Sequence, residues 1–93
     1  MSIETTLQER KRTHGDFRGM ADLSQQLKST FTYYRSHSNV LSTFQAEALD
    51  MIFHKIARIG SGDPNVSDHW HDIAGYALLV EKQLTEGAET SDS

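Results

Sequence analysis

The chain of 93 residues has no cysteine, which excludes disulfides and thiolate metal sites outright. It has one proline, Pro64, and no period-2 alternation of apolar and polar residues, so no segment reads as a strand. Long apolar runs are also missing. The longest uncharged run of the second half, Ile73 to Val80, falls far short of the roughly 20 residues that span a bilayer. Met1 to Arg12 is charged and lacks the apolar core of a secretory signal. Basic charge is scarce: the net charge is −4, and Arg10-Lys11-Arg12 is the only basic run. Nucleic-acid binders show a larger basic footprint, and a few cations at a helix end serve solubility and the helix dipole. No Gly-rich phosphate loop or nucleophile elbow occurs, and Ser61 and Ser67 have no oriented base in sequence. The expectation is a cytoplasmic protein that does not enter membranes.

What is present is helical. An apolar share of 37% and a charged share of 24% suit a single globular domain with a thin core. Thin cores are commonly supplemented by self-association, so a homodimer or larger assembly is expected. Residues 3–12 form a short helix with Ile3 and Leu7 on one side. Thr13-His14-Gly15-Asp16 breaks it, with Gly15 at a turn and Asp16 as N-cap of the next helix. Phe17, Met20, Ala21, Ser24, Leu27, Phe31 and Tyr34 then recur at steps of three and four, giving a helix of about 18 residues. Arg35 to Leu41 reads as a loop. Ser42-Thr43-Phe44-Gln45 fits a capping box that opens a third helix ending near Ile59, before Gly60-Ser61-Gly62-Asp63-Pro64. Its apolar face is Ala48, Leu49, Ile52, Phe53, Ile56 and Ile59, and Glu47, Asp50, His54 and Arg58 lie opposite. Ser67 or Asp68 caps a fourth helix that runs to about Leu84. Trp70 reads as core, and Gly75 as a point of close helix approach. With two apolar stripes this helix should be the most buried. Residues 85–93 read as a disordered acidic tail, leaving 1–84 as one all-α domain: four helices whose last two form a central antiparallel hairpin.

Candidate chemistry concentrates in the last two helices. Glu47 and Asp50 share a face, as do Asp68 and Asp72, and four carboxylates on two helices are one way to hold Mg²⁺. The same acids also suit a solvated face and a first helical turn. In a tight hairpin centred near Pro64, Asp72 is level with Ile56, and Asp50 lies about 9 Å further along the axis. A single-chain site would then combine His54, Arg58, Asp68 and Asp72, and a four-carboxylate site would need a wide crossing or a second subunit. His69 and His71 flank Trp70 but point about 160° apart, so both cannot ligate one ion from the helix. His71 reads as a hydrogen-bond partner of the preceding loop. For His14, His54 and His69 functional and structural roles stand level. The His14-Gly15-Asp16 turn offers free N–H groups to an anion, with Asp16 in opposition.

The strings Thr13-His14-Gly15-Asp16-Phe17, Glu47-Ala48-Leu49-Asp50-Met51-Ile52, His54-Lys55-Ile56-Ala57-Arg58-Ile59, Ser61-Gly62-Asp63-Pro64 and Asp68-His69-Trp70-His71-Asp72-Ile73-Ala74-Gly75-Tyr76-Ala77 together resemble a family of short phage and prophage proteins, often mislabelled phosphofructokinase. The resemblance covers roughly Glu9 to Leu84. It implies viral origin and a place in the host cytoplasm, and carries no settled activity. A looser resemblance is to the MazG-like all-α nucleotide pyrophosphohydrolases, which pair two acidic helices around Mg²⁺. Glu47-x-x-Asp50 matches their first acidic pair, and Asp68-x-x-x-Asp72 departs from the spacing of the second. It implies Glu47, Asp50 and Asp72 as metal ligands with Asp68 as a fourth.

Three functions follow as expectations. The first is a phage protein that binds a nucleotide or its phosphates and hydrolyses an NTP with Mg²⁺. Its metal would sit on Glu47, Asp50, Asp68 and Asp72, with His54 or His69 moving protons. His14, Asp16, Lys55, Arg58 and Tyr76 would contact ligand. The second is a non-catalytic anti-defence protein that sequesters a host nucleotide signal through basic and aromatic contacts. The third is an acidic inhibitor that binds a host defence protein.

Overall fold

A computed structural model describes residues 3–92, with side chains from 3 to 86. It contains four helices: α1 Ile3–His14, α2 Phe17–Tyr34, α3 Thr43–Ser61 and α4 Ser67–Asp92, with no strand among the described residues. The protein is all-α, as its periodicity predicts.

Only Gly15 and Asp16 separate α1 from α2. Gly15 takes φ +84°, a left-handed conformation that costs glycine nothing, and its N–H donates to the Lys11 carbonyl at 2.9 Å. Asp16 is extended at the N-cap position of α2, and its backbone carbonyl accepts from the Met20 N–H. Its carboxylate makes no cap bond. At the start of α3 the expected capping box is complete: the Gln45 N–H donates to Ser42 Oγ at 3.2 Å, and the Ser42 N–H donates to Gln45 Oε1 at 2.9 Å.

α3 is the middle helix. Ala48 and Ala57, nine residues apart and so on opposite sides of a 3.6-residue helix, are both buried. The Ala57 side packs on α2, where the Phe31 and Phe53 rings meet at 5.4 Å and Leu23 lies beneath Gly60. The Ala48 side packs on α4, where Lys55 meets Asp72 at 2.8 Å and Ala48 shares a groove with Val80. Both pairings are antiparallel, and the α3–α4 register is that of a hairpin centred near Pro64. α2 and α4 do not touch each other. The three long helices therefore lie side by side as one layer, in a molecule of 55 × 29 × 21 Å overall.

This arrangement corrects four expectations. The most buried helix is α3, because α4 packs along its length on α3 alone and meets α1 only where His69 reaches Thr13 and His14; Leu78, 62% exposed, points to solvent. Trp70 is 54% exposed rather than core, and its indole N–H donates to the Pro64 carbonyl at 2.8 Å. Nothing lies within 4 Å of a side chain built on Gly75, so no helix approaches there. Ser67 is the first helical residue and neither it nor Asp68 is a cap; the loop is closed instead by Asp63 Oδ1, which accepts from the Asn65 N–H at 2.9 Å. The ends differ as well. α3 runs two residues past Ile59 to Ser61. α4 continues as helix from Leu84 to Asp92, where the sequence suggested a disordered tail, because extending a helix adds a hydrogen bond per residue once the nucleus exists and no proline intervenes. Ser93, the end of that expected tail, lies outside the described residues.

Candidate functional site

One end of the layer is tied by the carbonyl oxygen of Thr13. It accepts from His69 Nε2 at 3.1 Å and from the Asp63 N–H at 3.4 Å. A carbonyl cannot donate, so the bonded tautomer of His69 carries its proton on Nε2. The His69 ring, 1% exposed, stands 5.0 Å from that of His14. Two glycines let the backbones meet here. A side chain on Gly62 would strike the Gly15 nitrogen at 2.6 Å and the Thr13 oxygen at 2.7 Å. The strings 13–17, 61–64 and 68–70, far apart in sequence, thus converge on one corner.

Beside this corner a cleft of about 450 Å³ opens between α1, the start of α2 and the polar edge of α3. α1 contributes Leu7, Arg10, Lys11 and His14, one helical stripe at steps of three and four. α2 adds Phe17 and Met20, and α3 adds His54 and Arg58, one turn apart. Gly15 and Asp16 complete the lining, and Asp16 is its one carboxylate. Three permanent cations thus face a single acid.

Burial, and then the neighbouring Arg58 guanidinium, hold the imidazoles of both His14 and His54 below the usual histidine range. Both are therefore neutral at pH 7, able to donate and accept. His14 Nδ1 and Arg58 Nε are buried without a hydrogen-bond partner. Such groups are rare because each forfeits its hydration. The depressed histidines also set a pH dependence. Between the lowered folded value and the unfolded value near 6.5 the unfolded chain binds more protons, so stability is greatest above that window and falls with acidification. The melting temperature of the ligand-free protein is expected to drop between pH 7 and pH 5, and to drop less in a His14→Gln/His54→Gln double variant. Scanning calorimetry across that range checks both.

Of the expected site residues, the structure brings together His14, Asp16, His54 and Arg58. It places the others elsewhere. Lys55, 12% exposed, is engaged by Asp72, whose carboxyl is held below its ordinary range first by that hydrogen bond. Tyr76 and Glu47 line a separate groove with Phe44 and Leu79. Asp50 and Asp68 are exposed. His69 is buried beside His14, bonds to Thr13 and does not line the cleft. His71 is exposed, and the bond to the preceding loop expected of it is made by Trp70, which donates to the Pro64 carbonyl. The expected combination of His54 and Arg58 with Asp68 and Asp72 does not form, because His54 and Arg58 turn toward α1 while Asp72 faces Lys55. Among the described residues no group of three or more His, Cys, Asp or Glu side chains is placed to hold a metal ion, and Glu47, Asp50, Asp68 and Asp72 do not converge. Arg10 and Lys11, read from sequence as solubility residues, are cleft residues. The signal for them was their spacing from His14, one turn along a stripe that begins at Leu7.

Comparison with protein-family models, with curated proteins and with solved structures finds no match. No described helix is long and apolar enough to cross a membrane.

Proposed function

We propose that this protein binds a small phosphorylated ligand, a nucleotide in the first instance, in the α1–α2–α3 cleft and holds it without turnover. The observation that carries this reading is the convergence of Arg10, Lys11 and Arg58, three permanent cations against the one carboxylate of Asp16, on a single cleft. A guanidinium presents a planar fork of donors that matches phosphate oxygens, and neutral imidazoles add donors at little electrostatic cost. The exposed ring of Phe17 at the rim offers a base an apolar face. The volume is within the range of small-molecule sites. With the phage-protein resemblance, this is the reading of a viral protein that sequesters a host nucleotide signal. A Mg²⁺-dependent hydrolase would need the separated carboxylates to converge.

Isothermal titration with ATP, ADP and cyclic dinucleotides, each with Mg²⁺ and with EDTA, tests the reading. At least one should bind with the same affinity in both conditions and be recovered intact after denaturation. Asp72→Asn should leave that affinity unchanged within about twofold, since Asp72 faces Lys55 and not the cleft. Binding that requires Mg²⁺ and disappears with Asp72→Asn would overturn the proposal in favour of the acidic site.

A further inference from the structure

The three-helix layer has two unlike faces. At 100° per residue Leu49, Ile52 and Ile56 fall along one edge of α3, between the sides that meet α2 and α4. Glu47, His54 and Arg58 fall along the opposite edge, about 170° away. On the apolar side an open groove of about 320 Å³ runs between α3 and α4, lined by Leu41, Leu49, Ile52, Ala77 and Val80 among others. Ile56 is 39% exposed beside it. Trp70, Ala77 and Leu84, spaced by seven on one stripe of α4, are all exposed on the same side.

We infer that this apolar face is covered by a second copy of the chain, giving a two-layer homodimer. The first argument is area. The chain exposes 7018 Å², against about 5,400 Å² for a folded monomer of its 10.5 kDa mass. The excess is about 1,600 Å², to which the exposed α1 and the end of α4 also contribute, and half of it is the ~800 Å² per partner of a standard interface. The second argument is architecture. A domain core forms between two layers of secondary structure, and this chain supplies one, with Met20, Ala48 and Ala57 its only buried apolar residues among those described. The third is charge. The net charge of −4 would oppose self-association, but the residues that line this groove carry no charge, and the Lys55–Asp72 pair and the basic cleft are turned to other sides. A flat apolar face meeting its own copy across a two-fold axis needs no other complementarity.

Sedimentation equilibrium of the wild-type protein at about 100 µM should give twice the chain mass. Because the chain has no cysteine, single-cysteine variants report each face cleanly. Ala77 and Glu47 are both exposed in the single chain, so both variants should fold. Native Ala77→Cys is expected to react with a maleimide at least about tenfold more slowly than native Glu47→Cys, with equal rates after denaturation. A monomeric mass overturns the inference. So does a dimer in which Ala77→Cys reacts as fast as Glu47→Cys, since its interface would then lie elsewhere. Neither readout depends on the cleft or on any ligand.

Discussion

Arg58→Met is expected to abolish nucleotide binding while leaving the helices intact. The guanidinium is the one permanent cation of the cleft that comes from the middle helix, and its Nε is already desolvated without a partner. Removing one member of a desolvated, hydrogen-bonded charge pair costs about 2–5 kcal/mol, a loss of roughly 30-fold to several thousand-fold in affinity. Methionine keeps most of the aliphatic stem against the layer, so the loss of charge is separated from loss of packing. Arg10→Met should weaken binding less, because Arg10 is exposed on α1 and more of its attraction is screened by solvent. Titration of both variants beside the wild type, with far-ultraviolet circular dichroism to verify folding, checks the ranking. Equal affinity of Arg58→Met and wild type would remove the cleft as the binding site.

Gly62→Ala should be among the most damaging small substitutions in the chain. A methyl group at this position meets backbone rather than a flexible side-chain end: the Gly15 nitrogen at 2.6 Å, the His14 carbonyl carbon and the Thr13 oxygen at 2.7 Å. Relief requires the α1–α2 corner to lift away from the end of α3, which breaks the bonds that Thr13 accepts from Asp63 and His69. A loss of about 3 kcal/mol is expected, and in a domain this small that lowers the melting temperature by about 15 °C. Gly15→Ala should be comparably harmful, since it combines the left-handed φ with a clash against the Ser61 backbone. Gly19→Ala is the control. Nothing lies within 4 Å of that position inside α2, so alanine should raise the melting temperature through helix propensity alone. Thermal denaturation of the three variants distinguishes a packing requirement from a general sensitivity to glycine replacement.

Much of the fold was legible because local signals agreed. The stripe from Phe17 to Tyr34, the Ser42–Gln45 box and the glycine-rich stop before Pro64 each specify an element without help from the rest of the chain. Hairpin register also followed from loop length, and it placed Asp72 level with Ile56, one residue from its observed partner Lys55. Burial was not legible in the same way. Periodicity shows which face of α4 is apolar but not whether a neighbour covers it, and in this chain one side is left open. The site was half legible for a similar reason. His14, Asp16, His54 and Arg58 drew notice through residue type, but their meeting depends on the corner at Thr13, where residues 13, 63 and 69 come together. Arg10 and Lys11 were discounted because a short basic run in an acidic chain resembles ordinary surface until a second helix is seen to place Arg58 across from it.

α1 has no buried residue, and its junction with the rest of the molecule is the Thr13–Gly15 corner at its C-terminal end. It is therefore a lever hinged at one end rather than a packed wall. Segments with so few buried contacts open at little free-energy cost, well below the cost of unfolding the layer. On the proposed reading, a ligand held between Arg10 on the lever and Arg58 on the fixed helix would stop that opening, and part of its contact energy would be consumed in ordering α1. The measured affinity then reports the contacts minus this ordering term, and its signature is a favourable enthalpy set against an unfavourable entropy. The hinge position also gives direction to the effect. Strengthening the lever's attachment far from the cleft would tighten binding without adding a single contact to the ligand.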